Sequence, residues 1–226
     1  MTRQKINILL TIILMTACEQ KKKSKTQEAP PKNYIMVLDT IWHSEQDPIR
    51  KRDSLMAIYG ADSPEFNEQQ AIYKSNHVIN EKKIKAILDE NGWPDQVQIG
   101  EQGNLTICNV LQHADHEIRV HYLPLMKQAV LDKKLEPGFL VRAQDRIATD
   151  LGDLQIYGGQ MKYYPDTKSF NVWPVYDPVN IDKRRAEIGL DPIAEFLKNR
   201  FDFEWNLEEQ IKRTEEFEKQ KRASSQ

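Results

Sequence analysis

The stretch that most constrains the fold is residues 67–91, which is long, rich in polar residues and free of proline. Its apolar residues supply one face of a helix. They are Ile72, Val78, Ile79, Ile84, Ile87 and Leu88. Gly92 follows as a natural left-handed cap, and Pro94 forbids continuation of the helix. The stretch therefore predicts one long helix that ends at residue 91.

Helical patterns recur along most of the chain. They cover residues 35–42, 105–131, 137–151 and 205–222, and Asp191-Pro192 is typical of a helix start. The last of these segments alternates acidic and basic residues with few apolar ones, which indicates a charged surface helix.

One segment breaks the helical pattern. Residues 154–164 and 169–175 are rich in β-branched and aromatic residues, and residues 165–168 between them have the composition of a turn. This predicts a β-hairpin near residues 154–175. The expected fold class is mainly α: a single helical domain over residues 34–204 with one inserted hairpin, followed by a charged C-terminal helix or tail over residues 205–226.

The N-terminus has the pattern of an export signal. Arg3 and Lys5 precede an apolar run over residues 6–15, which is too short to span a bilayer. Residues 14–18 resemble the lipobox of bacterial lipoproteins, in which the cysteine, here Cys18, becomes the lipidated first residue. Cleavage near Ala17 without lipidation is the alternative. We expect a signal peptide over residues 1–17 and acyl chains, such as palmitate, on Cys18.

The segment after Cys18 predicts a flexible tether over residues 18–33, because its lysines and prolines cannot bury enough apolar surface to order it. The expected location is the cell envelope, with the bilayer as partner through Cys18. With Cys18 lipidated, Cys108 is the one remaining thiol and no internal disulfide can form. The net charge of −2 does not suggest a nucleic-acid partner. A small-molecule or peptide ligand is possible, and no protein partner can be named.

Three of the five histidines lie within nine residues, at positions 113, 116 and 121. The pair His116-Glu117 is followed by His121 five residues on, whereas zinc proteases of the His-Glu-x-x-His type need four. His113 and His116 share a possible helical face, but the further ligands that zinc requires are missing from it. We therefore expect neither a metal nor another cofactor.

The helix over residues 105–131 is expected to break near Asp115. Asp115 interrupts the apolar stripe of this segment, and Pro124 would remove a hydrogen bond from a helix interior. With Asp115 as N-cap of a second helix, His113 would lie at a helix end beside the amides of the next helix. Such a junction favours an anionic ligand. The alternative is a solvated histidine on the polar side of a helix.

A set of short motifs resembles, in order, a bacterial family known only as a domain of unknown function. The motifs are Gly92-Trp93-Pro94, Gln112-His113-Ala114-Asp115, Leu123-Pro124-Leu125-Met126, Asp145-Arg146, Gln155-Ile156-Tyr157-Gly158-Gly159-Gln160, and Arg185 with Gly189-Leu190. The resemblance runs from about Trp42 to Leu197 and implies no known activity. Members often have threonine where this chain has Gly159.

The motif residues include a possible set of catalytic groups. His113 could act as general acid or base, oriented by Asp115 or Asp145, while Arg146 could hold a carboxylate through two hydrogen bonds. The ligand-binding candidates are Gln112, Gln155, Tyr157 and Gln160. The alternative is structural, because periodicity places Asp145 opposite the apolar side of its helix, exposed to solvent. Alternation along a hairpin would likewise place Gln155 and Tyr157 together on one face.

Two hypotheses follow for the function. The first is a metal-independent envelope enzyme that acts on a small substrate with amide or carboxylate groups. The sequence contains no motif typical of a covalent nucleophile, and Cys108 lies in an apolar-patterned segment. The second is a non-catalytic lipoprotein that binds a protein or peptide partner at the membrane surface, with its charged C-terminal helix as a possible interaction face. Convergence of the candidate residues in one concave pocket would favour an enzyme or small-ligand receptor.

Overall fold

The structure is a computed structural model that describes residues 32–165 and 168–224, and a pair of long antiparallel helices comes first in this part of the chain. Helix α1 spans Ile35–Tyr59 and α2 spans Pro64–Asn91. The expected signal peptide, Cys18 and most of the tether lie outside the described residues. Within the described chain, no helix combines the length and apolarity that spanning a bilayer requires.

The ends of α2 follow from its sequence. Ser63 caps the N-terminus by accepting a hydrogen bond from the backbone N–H of Phe66 at 3.2 Å, and Pro64 occupies the first helical position. At the other end Gly92 adopts a positive φ of 74° and donates to the carbonyl of Leu88. The predicted stop at residue 91 is therefore confirmed.

The next four helices supply most of the remaining core. They are α3 (Gln96–Ile99), α4 (Gly103–His113), α5 (His116–Leu131) and α6 (Pro137–Asp150). The predicted break is confirmed, because α4 ends at His113 and Asp115 is the N-cap residue of α5. Its side chain makes no capping hydrogen bond. Pro124 lies inside α5 on an exposed position.

The predicted hairpin is present but shorter than expected. Strands β1 (Met161–Tyr164) and β2 (Ser169–Val172) pair antiparallel, with Met161 opposite Val172. Residues 154–160 do not join a strand, although Gln155 forms an isolated bridge with Val175. After a 3-10 turn at Pro178–Asn180 come α7 (Ile181–Glu187), α8 (Ile193–Phe201) and α9 (Leu207–Ser224). The N-cap residue of α8 is Pro192, close to the predicted start. The mainly α fold class is confirmed.

Two apolar clusters hold these elements together. The larger is built from α1 to α6 and includes Ile41, Ile84 and Ile107, which are all fully buried. The smaller consists of Val172, Val175, Ile181, Ile193 and Leu197. Helix α9 docks beside the smaller cluster, where the Thr214 hydroxyl donates to the carbonyl of Val175 at 3.2 Å.

Candidate functional site

Asp145 on α6 is the centre of a buried polar group that we call the turn anchor, formed by Asp145, Gln155 and Arg185. One carboxylate oxygen of Asp145 accepts from the backbone N–H groups of Ile156 and Tyr157 at 2.8 and 3.0 Å. The other oxygen accepts from the N–H of Gly159 at 2.8 Å. Asp145 is 0 % exposed. Burial raises the pKa of its carboxyl, and the three backbone donors partly offset this rise.

The other two members of the turn anchor hold the same loop from its remaining sides. The side-chain amide of Gln155 donates to the carbonyls of Gln160 and Trp173 at 3.0 and 2.8 Å and accepts from the N–H of Gln160 at 2.8 Å. The Arg185 guanidinium donates to the carbonyls of Tyr157 and Asp191, each at 2.6 Å. Polar atoms of the loop are thus paired inside the protein, which fixes the positions of Gly159 and Gln160.

The expectation that Asp145 is exposed was wrong. Helical periodicity assigns it to the side of α6 opposite the apolar residues, but the 155–160 loop folds back over that side and covers it. Gly158 allows the tight return, since it has a φ of +80° and a Cβ there would lie 2.6 Å from Ile193. Asp145 therefore stabilises the loop, and no hydrogen bond joins it to His113 in the described part of the chain.

A cleft of about 270 Å³ lies between α4 and α6, at the junction of the two apolar clusters. Helix α4 contributes one face, consisting of Leu105, Cys108, Asn109, Gln112 and His113. Helix α6 contributes Phe139, Arg142, Ala143 and Arg146, again at helical spacing. The remaining lining residues are Leu111 of α4, Arg119, Tyr122 and Met126 of α5, Gly159 and Gln160 of the anchored loop, Met161 of β1, and Arg200 and Phe201 of α8.

The charge of this cleft is strongly unbalanced. Its lining includes the guanidinium groups of Arg119, Arg142, Arg146 and Arg200 and no aspartate or glutamate. Arg119 is buried, Arg142 and Arg146 are half-buried, and Arg200 is exposed. Guanidinium groups gathered in a partly desolvated cleft bind carboxylates and phosphates well, so a lining of this kind favours an anionic ligand.

At one end of the cleft, two arginines share a single carboxylate. Arg119 is 8 % exposed and bonds to the carbonyl of Ala114 and to Asp150. Arg146 approaches the other oxygen of Asp150 at 3.5 Å. The Nε atom of Arg119 is buried without a hydrogen-bond partner, and the Nε atom of Arg146 has only the 3.5 Å approach to Asp150. Because buried donors are almost always paired, the Nε atom of Arg119 marks a place for a further acceptor.

At the other end, Arg142 and Arg200 have no acidic partner among the described residues. Their guanidinium groups contact aromatic rings instead, Arg142 with Phe139 at 5.9 Å and Arg200 with Phe201 at 5.4 Å from the ring centre. Burial, followed by the like charge of Arg200, lowers the pKa of the Arg142 guanidinium. An anion bound here would relieve this repulsion.

His113 stands at the mouth of the cleft with an exposed edge, while protein surrounds the rest of the ring. This partial burial lowers the pKa of His113 below its ordinary value, and the nearby charges of His77 and Arg146 lower it further. The ring makes no hydrogen bond within the described chain. At neutral pH it is a free base that faces an arginine, which suits proton abstraction next to an anionic substrate.

A buried ion pair lies behind His113, between α1 and α2. Nδ1 of His77 is 3.2 Å from both carboxylate oxygens of Glu45, which is 1 % exposed, and Asn80 donates to Glu45 at 2.9 Å. The hydrogen bond to Glu45 raises the pKa of His77. Nε2 of His77 is buried without a hydrogen bond of normal geometry, although the backbone of His113 is near enough to raise the same pKa. No local pattern in the sequence indicates this pair.

The structure brings together four of the eight predicted catalytic and ligand-binding residues. Gln112, His113, Arg146 and Gln160 line the cleft, whereas Asp115, Asp145, Gln155 and Tyr157 do not. Asp115 is exposed between α4 and α5. Tyr157 is half-buried in the anchored loop, where its backbone, rather than its ring, bonds to Asp145 and Arg185.

Sequence reasoning missed Arg119, Arg142 and Arg200. Arg142 could have been found, because it lies four residues before Arg146 and three after Phe139, on one helical face. Arg200 has no such local signal, since α8 reaches the cleft only through the folded chain. Arg119 lies four residues after Asp115 in the first helical turns of α5, and nothing local indicates that its side chain turns inward.

Cys108 also lines the cleft, but it does not have the properties of a nucleophile. Burial raises the pKa of its thiol well above the ordinary range, so the thiolate is not populated near neutral pH. In the described part of the chain, no three His, Cys, Asp or Glu side chains gather in an arrangement that could hold a metal ion.

Fold and site together define a mainly helical protein with an arginine-lined cleft and a histidine at its mouth. The chain belongs to the family of unknown function DUF6624, whose sequence model matches residues 17–205. No curated protein and no solved structure shows significant similarity to it.

Proposed function

We propose that this chain is a bacterial lipoprotein, anchored to a membrane of the cell envelope through Cys18, whose cleft is the active site of a metal-independent enzyme. The substrate is a small molecule that carries a carboxylate and an amide. The observation that carries this proposal is the cleft lining, which combines four arginines and His113 with no acidic residue. Such a lining favours an anionic substrate and supplies a base beside it.

The residues suggest a division of roles. Arg146 anchors the substrate carboxylate, and Arg119, braced by Asp150, adds positive charge behind it. The side-chain amide of Gln112 and the side-chain carbonyl of Gln160 are available to bind the substrate amide. Gln160 is held in place because its side-chain NH2 donates to the carbonyl of Arg142 at 3.3 Å and the turn anchor fixes its backbone. Asp145 and Gln155 thus contribute through the loop that they stabilise.

His113 supplies the proton chemistry of an amide hydrolysis. It removes a proton from a water molecule as the water oxygen bonds to the amide carbonyl carbon. It then returns that proton to the nitrogen as the C–N bond breaks and the amine leaves. The lowered pKa of His113 keeps the ring neutral and ready to accept a proton at neutral pH.

The test uses the full-length protein purified in detergent and a panel of N-acetyl amino acids, with release of the free amino acid measured by mass spectrometry. We expect turnover of at least one panel member and its loss in His113→Gln. His43→Gln is the matched control, because His43 is an exposed histidine on α1 that does not line the cleft. Equal turnover in both variants would remove His113 from the mechanism.

Membrane anchoring is tested separately by labelling cells with radioactive palmitate. The label is expected on the wild-type chain and absent from Cys18→Ser, which should also be released from the membrane fraction. A chain that remains unlabelled in the wild type would contradict lipidation and leave simple secretion.

The non-catalytic alternative relied on the charged C-terminal helix as a partner surface. Helix α9 is partly committed to the fold, since Gln210 and Thr214 are buried and Arg213 bonds to Asn171 at 3.0 Å. Deletion of residues 205–226 would therefore disturb the fold as well as any interface. Binding of small acids without turnover of any panel member would instead favour a small-ligand receptor.

A further inference from the structure

The cleft has two cationic ends, separated along α6. Arg146 lies beside His113, and its charge acts on that ring. Arg142 lies one helical turn earlier, where its charge acts on Cys108 of α4 rather than on His113. The two arginines project from the same face of α6 into the same cavity. One helical turn corresponds to a rise of about 5.4–6 Å along the cleft.

Each end has more positive charge than the acidic groups beside it can neutralise. Near His113, Arg119 and Arg146 share the single carboxylate of Asp150, and the Nε atom of Arg119 is buried without a hydrogen-bond partner. At the far end, Arg142 and Arg200 have only aromatic contacts within the described chain. A single carboxylate could complete one end and would leave the other end uncompensated.

The wall between the two ends is uncharged. Between Cys108 and His113 it is lined by Asn109, Leu111 and Gln112 of α4, with Ala143 of α6 opposite them, and none of these offers a charged group to a ligand. A short aliphatic chain can pack against such a surface, while charged groups at its two ends reach the arginines.

We propose that the substrate of this cleft is a short dianion, with two carboxylate groups about one helical turn apart. The reacting group of the substrate lies near His113, and the carboxylate next to that group binds Arg146. The second carboxylate binds Arg142 and Arg200, which form a specificity subsite. This inference rests on the proposed function, because it assumes that the His113 end is the reacting end.

The experiment is calorimetric titration of the full-length protein in detergent with glutarate and with butyrate. The two acids have similar lengths, and only glutarate has a second carboxylate. We expect glutarate to bind at least about tenfold more tightly than butyrate, because a charge-assisted hydrogen-bond pair contributes a binding free energy of that size. Inorganic phosphate serves as a compact anion that cannot reach both ends, and it should bind no better than butyrate.

Three variants assign the subsites. Arg142→Gln should reduce glutarate affinity to the level of butyrate and leave butyrate unchanged. Arg200→Gln should act in the same direction, and because Arg200 is exposed it tests the subsite without risk to the core. Arg222→Gln is the matched control, since Arg222 is an exposed arginine of α9 that does not line the cleft.

Arg146→Gln separates this inference from the proposed function. If Arg146→Gln weakens both acids but glutarate never exceeds butyrate in the wild type, the second subsite is wrong and the anchoring role of Arg146 stands. If neither acid nor phosphate binds the wild type, the proposal that this cleft binds anions is itself contradicted. Tight phosphate binding that both Arg142→Gln and Arg146→Gln abolish would overturn the dicarboxylate and indicate one compact anion site.

Discussion

Asp145 and Arg146 are neighbours in the chain, yet they belong to two polar regions of opposite character. In the turn anchor, both oxygens of Asp145 are paired with backbone donors, and the carboxylate is fully buried. In the cleft, Arg146 shares the carboxylate of Asp150 with Arg119, and its Nε atom reaches that carboxylate only at 3.5 Å. The first region has all its partners inside the protein, whereas the second has more guanidinium groups than acidic partners in the described chain.

This difference separates structural from functional polarity. A buried charge that is fully paired by its own chain stabilises the fold and has no capacity left for a ligand. A cluster of like charges without partners destabilises the fold slightly, and a ligand of opposite charge would relieve it. The two regions should therefore respond to substitution in opposite ways.

The largest effect is expected at the turn anchor. Asp145→Ala leaves three buried N–H groups without an acceptor, which should cost about 4 kcal/mol of unfolding free energy. Arg146→Gln, one residue away, should change stability by no more than about 0.5 kcal/mol, because its ion pair is half-exposed. Urea denaturation followed by circular dichroism measures both. Equal losses would remove the distinction between the two regions.

The next effect concerns the other closed region, the Glu45–His77 pair. His77→Gln leaves the carboxylate of Glu45 buried with Asn80 as its remaining side-chain donor, and we expect a loss of about 3 kcal/mol at pH 6. The pKa of His77 is higher in the folded protein than in the unfolded chain, where it is about 6.5. The pair therefore makes its full contribution to the free energy of unfolding below about pH 6.5, and this contribution is lost as pH rises through the raised pKa.

The measurement is the difference in urea midpoint between wild type and His77→Gln as a function of pH. The difference should shrink between pH 6 and pH 9. A difference that stays constant over this range would mean that His77 contributes by packing alone. His43→Gln provides the exposed control, and it should change the midpoint little at either pH.

A smaller effect of opposite sign is expected at His113. The pKa of His113 is lower in the folded protein than in the unfolded chain, so the unfolded chain binds the proton more readily. The free energy of unfolding therefore falls as pH drops below about 6.5, and it stops falling once the pH is below the lowered pKa. Since the ring keeps an exposed edge, solvent screening should limit the loss to a few tenths of a kcal/mol. His113→Gln should remove this part of the pH dependence in thermal melts, and an unchanged curve would contradict it.

The last effect is of comparable size and is a gain in stability. Arg142→Gln removes one of two like charges that have no acidic partner in the described chain, and it should raise unfolding free energy by about 0.5 kcal/mol in the absence of ligand. The gain should disappear in saturating glutarate, because only the wild type then has the counter-charge. A loss of stability in ligand-free buffer would show that Arg142 has a structural role.

The contrast between the two regions also explains which structural features could be predicted from the sequence. Local chemistry predicted the long α2 with its stop at Gly92, the break at Asp115 and the mainly α class, because caps, prolines and spacing act over a few residues. It could not predict that the 155–160 loop returns over α6, so Asp145 was expected to be exposed. It also could not predict that α8 brings Arg200 to α6.

For the candidate site, sequence identified the residues that share one helix end or one motif, such as Gln112 with His113. It did not distinguish Asp145 from Arg146. The side chains of adjacent helix residues point in different directions, and segments distant in the sequence decide what each of them contacts. The Glu45–His77 pair was missed for the same reason. The two residues are 32 positions apart in the sequence and come together only because α1 packs against α2.

The most direct test of the account is an NMR titration of the histidine rings in the full-length protein, with and without saturating glutarate. We predict that the pKa of His113 lies below the ordinary value of about 6.5 in the free protein and moves upward when the anion binds beside the ring. If the pKa of His113 is about 6.5 in both conditions, the cleft is an ordinary solvated surface, and the proposed active site is contradicted.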